Sequence, residues 1–71
     1  EDINLQVNAI QFDEVDITVR DIQGKVCMTN KTQIYSGVNK FPISLQHIPS
    51  GQYIITLTGK HIQSSINFSK D

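Results

Sequence analysis

Apolar side chains recur at every second position over short stretches of this chain, and that alternation limits what it can fold into. Val15, Ile17 and Val19 alternate with Asp16, Thr18 and Arg20, and Tyr53, Ile55 and Leu57 alternate with Ile54, Thr56 and Thr58. Phe41, Ile43 and Leu45 repeat the pattern, as do Ile3, Leu5 and Val7. Successive side chains of an extended strand point to opposite faces, so each stretch presents one apolar face. No stretch carries the 3.6-residue period of an amphipathic helix. Composition agrees, because eleven of the 71 residues are Ile, five are Val, five are Thr and only one is Ala. Such β-branched side chains pack well on a pleated sheet. The inward face is expected to include Val15, Ile17, Val19, Ile43, Leu45, Tyr53, Ile55 and Leu57.

Turn signals divide these strands. After Val7 the apolar phase slips from odd to even positions at Ile10 and Phe12, which places a tight turn or bulge near Asn8 and Ala9. Asp13-Glu14 breaks the pattern again. Asp21-Ile22-Gln23-Gly24-Lys25 reads as a hairpin connection in which Gly24 supplies a positive φ. Val26 to Met28 then resumes a strand antiparallel to residues 15–20. Thr29 to Gln33 is polar, Ile34-Tyr35 is a short apolar return, and Ser36 to Lys40 reads as a loop. Pro42 has no N–H to give, so it belongs at the start or the exposed edge of its strand. His47 to Gln52 is the strongest turn, with Pro49 fixing φ and Gly51 permitting a positive value. Gly59-Lys60 reverses the chain into a last strand of Ile62, Ser64, Ile66 and Phe68. The expectation is an all-β domain spanning residues 1–71, a small antiparallel sandwich or barrel of six or seven short strands.

Charge and cysteine content narrow the classes of function. Six Lys and Arg against seven Asp and Glu give a net charge of −1, too little basic character for a dedicated nucleic-acid binder. The charges are unevenly placed, with six acids and one Arg in residues 1–21 and five Lys and one Asp in residues 22–71. Folding is expected to bring the two halves together. One cysteine excludes an intrachain disulfide framework and a multi-cysteine zinc site. No apolar run is long enough for a membrane-spanning helix. The segment beginning Glu1-Asp2 has no basic and apolar leader pattern, as in either a processed mature chain or a trimmed one. This does not indicate the cytosol, and the expectation is that a signal peptide has been removed.

A second layer of information lies in the order of the turns. Asp21-Ile-Gln-Gly-Lys25 is followed by a Ser36-Gly37 loop, by Phe41-Pro-Ile-Ser-Leu45, and by Ile48-Pro-Ser-Gly-Gln-Tyr53. This order resembles secreted β-sandwich modules of Bacteroidetes, in which D-x-x-G-K precedes I-x-L-x-x-L-P-x-G-x-Y. Two groups share it: the C-terminal sorting domains of type IX (Por) secretion, and a family of short secreted immunoglobulin-like proteins without a known function. The resemblance covers roughly residues 15–68 and implies an immunoglobulin-like sandwich in a secreted, periplasmic or cell-surface protein. Its motif residues here are Asp21, Gly24, Lys25, Pro49, Ser50, Gly51 and Tyr53. Two departures favour the short family. No Pro-Asn-Pro segment precedes Val15, and the chain ends Ser69-Lys70-Asp71 where sorting domains often carry a basic cluster.

Reactive constellations are sparse. His47 and His61 flank a strand of roughly six residues, which would hold them about 20 Å apart and prevent a shared metal. Asp13, Glu14, Asp16 and Asp21 lack the D-x-D-x-D-G spacing of a calcium loop and read as an acidic solvent face or a charged edge. Cys27 lies between Val26 and Met28 and reads as a small hydrophobe. Ser64-Ser65 near His61 lacks a nucleophile elbow. No catalytic residue, no metal ligand and no cofactor are therefore expected. The sequence reading is a non-catalytic secreted or cell-envelope sandwich that acts through surface contacts with protein or glycan. Its alternative is a C-terminal sorting domain of a larger exported protein. Self-association or strand addition is expected at the uncharged first and last strands.

Overall fold

The computed structural model describes residues 2–71. Six strands follow one another: β1 (Asp2–Ala9), β2 (Asp13–Asp21), β3 (Val26–Ile34), β4 (Gly37–Ser44), β5 (Gly51–Gly59) and β6 (Gln63–Lys70). They form two antiparallel sheets, a four-stranded one in the order β3-β2-β5-β6 and a two-stranded one pairing β1 with β4. The all-β sandwich follows from the alternation. Val15, Ile17 and Val19 of β2 lie opposite Gly59, Leu57 and Ile55 of β5, so their inward side chains form one continuous apolar patch. Leu5, Val7 and Ile43 of the smaller sheet close over it, together with Leu45 and Ile48 from the chain that follows β4.

All eight residues expected on the inward face are buried. The core also takes in Leu5, Val7, Ile34 and Ile48. The phase slip near Asn8 has a plain cause, because β1 ends at Ala9 and residues 10–12 carry the chain from the small sheet to the large one.

Three expectations are corrected. Asp13 does not break the pattern. It is the first residue of β2, in phase with Val15, and its side chain is buried. Thr29 to Gln33 is not an interruption but the middle of a nine-residue strand, polar because β3 is an edge strand open to solvent. Ser36 to Lys40 is not a loop, since β4 begins at Gly37 and pairs it with Ala9. The Asn39 side chain secures that start: it accepts a hydrogen bond from Tyr35 N–H at 2.9 Å and donates to the carbonyls of Tyr35 at 2.8 Å and Val7 at 3.3 Å. Pro42, opposite Asn4, lies in a two-stranded sheet, where each strand keeps one unpaired edge that needs no donor.

Ile55 is buried with no exposed surface, whereas its neighbour Ile54 points to the outer face and is 37% exposed. Ile55→Ala is expected to cost about 2–5 kcal/mol, a large share of the stability of a domain this small. Ile54→Ala is expected to leave the melting temperature almost unchanged. Thermal denaturation of the two variants side by side checks the assignment of faces.

Candidate functional site

The pairing register brings the motif residues together. Asp21, at the end of β2, lies opposite Tyr53, near the start of β5, and Gly51 lies opposite Lys70 at the end of β6. The 21–25 hairpin, the turn before β5 and the C-terminal end of the last strand therefore share one end of the sandwich. Sequence reasoning identified seven of these residues and missed Lys70.

Each motif side chain has a local task. The Asp21 carboxylate accepts hydrogen bonds from the N–H groups of Gln23 and Lys25, both at 2.9 Å. Gly24 takes φ +89° to complete that hairpin, a conformation that strains any residue with a Cβ. Just past the hairpin, the register of β2 and β3 shifts, with Val19 opposite Met28 and Arg20 opposite Val26. Cys27 is thus the extra residue of a bulge, and its thiol donates to Lys25 O at 3.6 Å. The Tyr53 ring is buried and stacks on Phe68 at 5.5 Å between centroids. Its hydroxyl donates to Pro49 O, which fixes the Pro49-Ser50-Gly51 turn against the core. Burial, with the nearby Cys27 and Asp21 groups, pushes the Tyr53 hydroxyl pKa up, so it remains a donor throughout the ordinary pH range.

Lys70 closes this end. Its ammonium donates to Leu45 O at 2.6 Å and Ile48 O at 2.5 Å, tying the last strand to the turn that follows β4. No local signal marks that role, since the carbonyls it serves lie 25 and 22 residues earlier in the chain.

The opposite end depends on Asp13. Its carboxylate accepts from the N–H of His61 at 2.7 Å and of Lys60 at 3.1 Å, the tip of the β5–β6 hairpin. Gly59 makes this approach feasible, because a Cβ there would stand 2.6 Å from Asp13 Oδ2 and 2.9 Å from Val15 Cγ1. The His61 N–H bond, more than any other cause, holds the carboxyl below the ordinary aspartate value of 3.8, against the desolvation that raises it. A depressed folded-state pKa adds stability above the unfolded value, and that stability is lost as pH falls through the folded one. Asp13→Asn is accordingly expected to lower stability at neutral pH and to flatten its decline below about pH 4, measured as chemical denaturation across the acid range.

The remaining candidates do not converge. Nine-residue β5 separates the turns that hold His47 and His61. Asp16 faces solvent and lies 3.9 Å from Lys31, an exposed pair that adds little to stability and is the one side-chain ion pair among the described residues. Ser64 and Ser65 point to opposite faces of β6. Among the described residues no three His, Cys, Asp or Glu side chains gather as a metal site. Excess calcium is expected to leave the melting temperature unchanged, since a ligand bound only to the folded state would raise it. A differential scanning fluorimetry titration reads this directly.

The chain matches, over residues 1–69, the family model described as the secretion system C-terminal sorting domain. It belongs to that family. No curated protein and no solved structure gives a significant match. A sorting domain implies an exported protein, secreted or at the cell surface. The match backs the sorting reading over the stand-alone surface module that the two departures favoured. It includes residues 1–14, where the Pro-Asn-Pro segment was missed, so the lack of that segment does not remove the chain from the family. In this sorting domain Lys70 is turned inward onto two carbonyls.

Proposed function

We propose that this domain is the C-terminal address of a larger exported protein, recognised by a secretion system and not itself catalytic. The observation that carries the reading is the family match over nearly the whole chain. The geometry supports it in a second way. The hydrogen bonds made by Asp21, Tyr53 and Lys70 all run to backbone, so these side chains shape turns. A signature built from turn shape suits recognition of a folded surface.

The test is a fusion. Residues 1–71 placed at the C-terminus of a reporter carrying its own signal peptide should send that reporter to the surface or the medium of a bacterium with Por-type secretion. The reporter without the domain should stay in the periplasm. Identical distribution of the two would overturn the proposal. Asp21→Ala, which releases the 21–25 hairpin at the motif end, is expected to reduce export several-fold while the domain stays folded by circular dichroism.

A further inference from the structure

The pairing register lays out the outer face of the four-stranded sheet in rows. Near the motif end one row runs Val26, Arg20, Ile54 and Asn67 across β3, β2, β5 and β6. Side chains directly opposite one another on neighbouring strands are within contact range. The chain's one arginine therefore stands between two aliphatic side chains. Both are open to solvent, Val26 at 45% and Ile54 at 37% exposed. Ile22, 72% exposed, belongs to the same patch, because with Ile54, Asn67, Gln52 and Ser69 it lines one open depression of about 450 Å³.

Arg20 has no acceptor of its own. It is half-buried, yet among the described residues it makes neither an ion pair nor a side-chain hydrogen bond, the one ion pair being Lys31 with Asp16. The aspartates on either side of it along β2 are committed elsewhere. Asp21 lies on the opposite face, and its carboxylate accepts from the 21–25 hairpin. Asp16 shares the outer face but is four residues, or about 13 Å, away along the strand. Between Asp16 and Arg20 runs an uncharged row of hydroxyl side chains, Thr29, Thr18, Thr56 and Ser65. The hairpin beyond Arg20 adds only Lys25, a charge of the same sign.

We propose that this row is a docking site for a peptide segment carrying one carboxylate flanked by aliphatic side chains. The guanidinium presents a fixed fork of donors, which a carboxylate meets with two parallel bonds. The aliphatic groups of the segment cover Val26, Ile54 and Ile22 and remove them from water. Gln52, Asn67 and Ser69 offer amide and hydroxyl groups to its backbone. Charge and apolar surface together select this occupant. A small inorganic anion satisfies the arginine alone and leaves three aliphatic side chains in water. A wholly apolar segment covers those side chains and leaves a desolvated cation unpaired beneath it.

The probe is a synthetic peptide with capped ends, in which one glutamate lies between two leucines in a background of serine and glycine. Its control carries glutamine in place of the glutamate. Titrated into the 71-residue chain, the glutamate peptide should shift the Arg20 side-chain N–H signal and the Ile54 methyl signals in NMR spectra. The glutamine peptide should bind about tenfold more weakly, the loss of a charge-assisted hydrogen bond. Arg20→Gln should erase the difference between the two peptides, and Ile54→Ala should weaken both alike. Should Arg20→Gln fail to fold, Arg20→Met, which keeps an apolar stem, serves instead. Equal binding of the two peptides overturns the proposal, as does silence at Arg20 up to the solubility limit. Acetate matching the glutamate peptide at equal concentration overturns it in favour of a bare anion site. An Arg20 shift that follows protein concentration without peptide overturns it in favour of a second copy. The result is separate from the export reading, because a domain that directs export and ignores the peptide refutes only this docking site.

Discussion

Burying the inner face of a four-stranded sheet beneath a sheet of only two strands is the constraint on which the rest of this structure depends. Two strands suffice for β2 and β5, whose inward side chains are fully covered. On β6 they leave Ile66 41% exposed, and the chain adds side chains from outside the sheets to the core. Leu45 and Ile48, in the connection after β4, are as buried as strand residues. That solution creates a polar problem of its own, because a connection drawn into the core brings its carbonyls along, and buried carbonyls require partners. Lys70 meets that need from β6, with one ammonium serving two carbonyls.

The same economy governs both ends. A domain of this size commonly depends on disulfides or a metal to supplement a small core, and this one has a single free cysteine. Its ends are closed instead by side chains that bond to backbone. Asp13 holds the β5–β6 hairpin, Asp21 holds the β2–β3 hairpin, and Tyr53 and Lys70 hold the turns between β4 and β5. The carboxylate and ammonium bonds are charge-assisted, which makes them shorter and stronger than neutral ones. The closeness they require explains Gly59, which lies against Asp13 with no room for a Cβ.

What could be read from the sequence was what is local. Period-two alternation places Val15 or Ile55 inward because it depends only on neighbouring residues, and the Asp21–Lys25 hairpin was visible because acceptor and donors lie within four residues. Asp13 was misread because a carboxylate normally belongs in solvent, and the N–H groups that justify its burial lie 47 and 48 residues away. Lys70 was missed for the same reason. β3 lost its alternation where it is polar on both faces, since an edge strand has too little cover to demand an apolar face. Ser36 to Lys40 looked like a loop because the hydrogen bonds that make it a strand belong to β1, whose register with β4 no short motif specifies.

The family resemblance follows the same division, and this connects fold to function. The signature residues are those whose partners are close in sequence, and a turn of that kind could form in many chains. Its position is fixed by distant contacts. Tyr53 must stack on Phe68 of β6, and Lys70, two residues further along, must reach Leu45 and Ile48 before the turn is clasped on both sides. The signature turn and the final strand are thus one cooperative unit, in which loss of either removes the partner of the other. In a domain that serves as an address, the shape presented at this end therefore exists only when the chain is folded through Lys70.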